Sequence, residues 1–114
     1  MPDTIIDSTT FEELKEAMGD DFIPELISTY LDETAALIQK LREALAAGQS
    51  EDFRRIAHSI KSSSASLGAL EFSAQAKELE FIGKAGDFNQ AGAALARLEE
   101  AWPKVKTALQ EFIP

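Results

Sequence analysis

Apolar residues recur along most of this chain at intervals of three and four, the spacing that gathers them on one face of an α-helix. The clearest run is Phe88, Ala91, Leu95, Leu98, Trp102, Val105, Leu109 and Phe112, which keeps its phase without a slip. Pro103 lies beside this stripe. Proline lacks an N–H and clashes with the preceding turn, so the spacing predicts one helix kinked at Pro103 rather than two unrelated ones. A second run, Ile23, Ile27, Tyr30, Leu31, Thr34, Ile38, Leu41 and Leu45, predicts a long helix over about 21–47, with Pro24 tolerated in its first turn and Gly48 at its end. Phe53, Ile56, Ala57, Ile60, Ser64 and Leu67 fall within roughly 100° of arc on a third helix. Phe72, Ala76, Leu79 and Gly83 mark a fourth over about 70–85, stopped by Gly86.

The terminal signals agree with these spans. Thr10 and Glu13 resemble a capping box, which predicts a short first helix to about Met18, closed by Gly19. Ser50 is expected to cap the third helix, with Glu51 and Asp52 at its positive end, and Asp87 to cap the last. Four long amphipathic helices with short connections predict an all-α fold: an antiparallel up-down four-helix bundle with a short N-terminal helix laid across one end. At 114 residues the chain, 1–114, reads as one domain.

Charge and composition narrow the function. The net charge of −9 argues against binding a phosphate backbone or an anionic membrane, so neither nucleic acid nor membrane is an expected partner. There is no cysteine, which excludes disulfides, thiolate metal sites and a cysteine nucleophile. MPDTIIDSTTFEE has neither a basic start nor a long apolar run, so it is not a signal peptide, and a cytoplasmic protein is expected.

The chain has a single histidine, His58, in the stretch AHSIKSSSASLGA. At about 100° per residue it lies about 140° from the centre of its helix's apolar face, and so points outward. Arg54 and Lys61, one turn to either side, make its surroundings locally basic, and Ser62 and Ala65 on the same side are small. An idle surface histidine and ordinary solvated cations are the plain alternatives. A Ser–His–Asp device would need an oxyanion hole that a convex helix does not provide, and zinc needs more than one His or Cys. Nucleophilic attack by the imidazole on phosphorus remains.

These residues carry a resemblance. His58-Ser59-Ile60-Lys61-Ser62-Ser63-Ser64-Ala65-Ser66-Leu67-Gly68 resembles the signature His-x-Leu/Ile-Lys-Gly-Ser-Ser-x-x-Leu-Gly of the histidine-containing phosphotransfer (HPt) domain family. The helix order and size agree along essentially the whole chain. The resemblance implies a phosphorelay intermediate without autonomous catalysis. It would take a phosphoryl group on His58 from a receiver-domain aspartate and pass it to another receiver aspartate. The expected partners are the receiver domains of a hybrid sensor kinase and of a response regulator, with this chain a monomer. No cofactor is expected, magnesium belonging to the receiver. Lys61 matches the lysine that stabilises the phosphoryl oxygens. Glu80 matches a position where the family often carries Gln or Glu, hydrogen-bonded to the imidazole nitrogen that is not phosphorylated. Arg54 and Lys84 would add positive potential, although Glu80 and Lys84 also read as a plain i,i+4 surface pair. Ser62 departs from the family's glycine: it either crowds the approaching partner or donates a hydrogen bond to the phosphoryl group.

Leu14, Met18, Phe22 and Leu26 are apolar positions outside the main stripes. They either cover one end of the bundle or, as the resemblance implies, dock a receiver, with Ala65 and Gly68 as the small residues that leave room. Phe81 also points away from its helix's core side, without a reason in the sequence. Two other readings stay open: an adaptor that binds a receiver without transfer, and an acidic carrier with a prosthetic group on a serine.

Overall fold

The computed structural model describes residues 5–112. The elements follow one another as α1 (Ser8–Met18), a 3-10 turn (Asp20–Phe22), α2 (Ile23–Ala47), α3 (Ser50–Ser66), α4 (Leu70–Ala85), a second 3-10 turn (Phe88–Gln90) and α5 (Ala91–Gln110). α2 packs on α3, α3 on α4, α4 on α5, and α5 closes the ring against α2. Early α2 meets late α3 through Tyr30 and Ser64, and early α3 meets late α4 through Arg54 and Gly83, so neighbours run antiparallel. This is the expected bundle, with α1 and its turn against α2 and α3 at one end. Among the described residues no helix is long and apolar enough to cross a membrane.

The predicted stripes form the core except at the end of the last one, where Phe112 lies beyond α5 and is 42% exposed. Ile27, Leu41, Phe53, Ile60, Leu79, Leu98 and Leu109 are fully buried, and Phe11 of α1 closes one end. Leu31 and Leu45, at the edges of their stripe, are half-buried. Trp102 stacks between Tyr30 and Phe72, with ring centroids 5.8 and 5.5 Å away, and so ties α2, α4 and α5 together. α5 runs unbroken through Pro103, as the unslipped stripe requires. Tyr30 donates or accepts one buried hydrogen bond with Ser64 at 2.7 Å. Burial pushes its phenol up to about 12, against the opposing pull of the Ser64 and Thr34 hydroxyls.

Three local expectations are corrected. α1 is capped by Asp7, whose Oδ2 accepts from both the amide and the hydroxyl of Thr10, so Thr10 is the partner of the cap and no Thr10–Glu13 box forms. Aspartate is as good a cap as threonine, and the helix gains a turn by starting there. Ser50 already lies inside α3, and its side chain caps nothing. Asp87 caps the 3-10 turn that leads into α5, accepting from the Asn89 amide.

The α3–α4 corner depends on Gly68. Its φ of +88° is left-handed, and a Cβ there would stand 2.9 Å from the Asp7 carbonyl oxygen. The Asp7 amide donates to the Gly68 carbonyl at 2.7 Å, so the same turn anchors the entry to α1.

Candidate functional site

α3 carries His58 on its outer face with the side chain 53% exposed, as its place on the wheel predicts. α4 runs antiparallel beside it and brings Glu80 against the ring: Nδ1 lies 2.7 Å from one Glu80 oxygen. The other oxygen of the same carboxylate receives Lys61 Nζ, also at 2.7 Å. Glu80 therefore bridges the imidazole and the ammonium, and all three predicted centres meet.

The charge state of Glu80 sets the tautomer of His58. The hydrogen-bonded Lys61 ammonium holds the Glu80 carboxyl below its usual value, and the imidazole contact adds to this, with partial burial opposing. An ionised carboxylate only accepts. Nδ1 of the neutral ring must then donate, which leaves the Nε2 lone pair uncommitted on the exposed side. Lys61 has donors to spare after its bond to Glu80, because an ammonium carries three.

Two residues that build this geometry have no counterpart in the signature. Gly83 is buried at the crossing of α3 and α4, and a Cβ there would fall 2.8 Å from the Arg54 amide nitrogen and 2.9 Å from its Cα. That contact involves Arg54, one turn before His58, and Gly83, one turn after Glu80, so it fixes how closely the two functional side chains approach. A glycine inside an amphipathic helix is a recognisable signal, since it costs about 1 kcal/mol against alanine and needs a packing reason. Ser73, also on α4, is buried and donates its hydroxyl to the Lys61 carbonyl at 2.8 Å, which ties down the backbone from which Lys61 projects.

The remaining candidates divide. The Arg54 guanidinium is turned back along its own helix onto Glu51, at 3.1 and 2.5 Å, rather than onto the imidazole. Lys84 is exposed and lines the same groove as Lys61 and Glu80. The Ser62 hydroxyl is exposed and makes no hydrogen bond among the described residues, while Ser63 and Ser66 spend theirs on carbonyls of the preceding turn. Of the apolar candidates, Met18 and Phe22 are 44% and 58% exposed. Leu14 and Leu26 are half-buried against the core, and Ala65 is half-buried. Gly68 is corrected: it is buried beneath the Asp7 backbone and offers no surface to a partner.

The chain as a whole is similar to known proteins. The family model for the Hpt domain matches residues 25–111, which takes in α3 and α4 and leaves out α1. The phosphorelay protein LuxU of Vibrio harveyi is 30% identical over 88 residues, 77% of this chain and 77% of that protein. The structure of histidine-containing phosphotransfer protein B (HptB) from Pseudomonas aeruginosa PAO1 superimposes with a TM-score of 0.89 at 28% identity, over 94% of this chain and 92% of that one.

Proposed function

This chain belongs to the Hpt-domain family, and on that premise we propose that it is a phosphorelay intermediate whose phosphoryl carrier is His58. The observation that carries the reading is the shared carboxylate. Glu80 takes Nδ1 of His58 on one oxygen and Lys61 on the other, each at 2.7 Å, with the ring half exposed.

The step follows from that geometry. Nε2 of His58 attacks the phosphorus of an aspartyl phosphate on a receiver domain. The N–P bond forms as the P–O bond to the aspartate breaks, and the carboxylate leaves as an anion. The ring then carries the phosphoryl group on Nε2 and its original proton on Nδ1, so positive charge develops on the imidazole. Glu80 is placed to stabilise that charge, and it holds the ring against rotation. Lys61 swings a free N–H onto a phosphoryl oxygen without releasing Glu80, and the Ser62 hydroxyl is free to donate beside it. The reverse step, onto a second receiver's aspartate, uses the same groups. Exposure of the ring suits this exchange, since both donor and acceptor are brought by other proteins. Family membership supports a phosphocarrier.

The exposed apolar pair Met18 and Phe22, with the exposed Asp20, Asp21 and Glu25 nearby in sequence, supports a docking surface for the receiver. A pulse–chase assay tests the whole reading. The chain is incubated with phosphorylated receiver domains from its source organism, and a second, unphosphorylated receiver is then added. Label is expected to enter the chain and leave it again. Stable binding without label would replace the relay with an adaptor.

A further inference from the structure

Beside the His58 cluster lies a concentration of positive charge, most of which the transfer step does not use. On α4, Lys77, Phe81 and Lys84 follow at i, i+4 and i+7 and so share one face. Phe81 is 57% exposed, with Lys77 Nζ standing 5.8 Å from its ring centroid. Together with Arg54 and Lys61 of α3 they line a groove of roughly 350 Å³, which Glu51 and Glu80 also border. Arg54 is paired with Glu51, and Lys61 with Glu80. Lys77 and Lys84 make no ion pair among the described residues, so their charge faces solvent on either side of the exposed ring.

We propose that this aromatic–basic groove is a second contact for the receiver domain: an acidic segment beside its phosphoryl-bearing aspartate lies along Lys77 and Lys84, and an apolar side chain of that segment covers Phe81. The proposal rests on the phosphorelay reading and names the surface that orients the partner. Charge is the first reason. The chain carries a net charge of −9, yet four cations against two carboxylates line this groove beside the nucleophile, which favours an anionic segment there. Continuity is the second. Lys61 and Glu80 belong to both the groove and the imidazole cluster, so a segment seated in the groove is already within reach of His58. Composition is the third. A solubilising helix face does not present a phenyl ring beside two ammonium groups that no carboxylate pairs among the described residues, whereas an interface centre does. The Met18–Phe22 patch is apolar with acidic neighbours and cannot select for negative charge, so the groove supplies the orientation that the patch lacks.

The test uses the full chain with Phe81→Ala and, separately, Lys77→Glu. Each is assayed with phosphorylated receiver domains of the source organism and, as a control that needs no docking, with free phosphoramidate as phosphoryl donor. Lys77→Glu is expected to raise the KM for the receiver about tenfold and to flatten its rise with salt. Phe81→Ala is expected to raise KM with the salt dependence kept. In both, the rate at saturating receiver and the labelling by phosphoramidate match the parent. Parent-like KM and salt dependence in both variants would overturn the groove, as would a loss of phosphoramidate labelling equal to the loss of transfer. A parent chain that is labelled by phosphoramidate but by no receiver would instead bring down the phosphorelay reading, and the groove with it.

Discussion

Gly83→Ala adds one methyl group to a helix, a change that ordinarily stabilises by about 1 kcal/mol. Here the new Cβ falls 2.8 Å from the Arg54 amide nitrogen and 2.9 Å from its Cα, where ordinary contact begins at 3.4 Å. Both atoms are backbone, so α4 must move off α3 by about 0.6 Å at this crossing, at an overpacking cost of about 1–3 kcal/mol. The net expectation is a chain about 0–2 kcal/mol less stable and still folded. Glu80 is one turn away on the displaced helix. Its 2.7 Å contact with Nδ1 would open to about 3.3 Å, beyond the usual N–H···O range. Since a misplacement of about 1 Å can cost 10²-fold, transfer to His58 is expected to fall at least about tenfold, out of proportion to the loss of stability. The imidazole ¹⁵N resonances should show the Nδ1–H population falling. In a Glu80→Ala background, Gly83→Ala should then add nothing further to the transfer defect. Gly92→Ala is the control, since its Cβ meets nothing within 4 Å, and it should raise the melting temperature without touching transfer. Parent-like transfer and unchanged ¹⁵N shifts in Gly83→Ala would refute the positioning role.

Other outcomes follow from the same structure. Glu80 titrates below its ordinary value of 4.5 in the folded chain, so its contribution to stability is complete above that pH and is lost as pH falls through the lowered value. The gap in melting temperature between the parent and Glu80→Gln should therefore be widest near neutral pH and narrow progressively as the pH falls below 4.5. Tyr30, the only tyrosine, has its phenol raised to about 12, so stability should hold to about pH 10 and drain away towards 12. Ultraviolet titration should show tyrosinate appearing only with loss of helix, and a midpoint near 10 in a still-helical chain would contradict the buried Tyr30–Ser64 pair. Ser62→Gly should lower the transfer rate several-fold by removing a free donor, with a helix cost of about 0.5 kcal/mol. A faster variant would mean that Ser62 crowds the dock.

The helices were legible because burial is periodic: Ile27, Leu41, Phe53, Ile60, Leu79 and Leu98 all stand on the predicted stripes and are all fully buried. The outward aim of His58 followed from its phase on the same wheel. Caps were less legible. Asp7, Thr10 and Ser50 are all chemically able to cap, and which one does depends on where the chain enters the bundle. For Asp7 that entry is set by its contact with Gly68, more than 60 residues away in sequence. The same long-range contact took Gly68 out of the docking surface, because the helical wheel does not know which loops cover it. The contact of Glu80 with His58 needed the family resemblance as well as the spacing, and its second bond, to Lys61, was not expected from either. The helix crossing that sets its distance, at Gly83, needed three dimensions. Phe81 looked unexplained from its own helix alone, and it acquires a context only beside the Arg54 and Lys61 of the neighbouring one.

The central claim concerns one atom, Nε2 of His58, and locating the phosphoryl group after transfer from a phosphorylated receiver tests it most directly. The proposed route predicts an alkali-stable, acid-labile label on His58, assigned to Nε2 by ³¹P–¹⁵N coupling and absent from His58→Gln. Label that persists in His58→Gln, or an acid-stable label on one of the neighbouring serines, would contradict it.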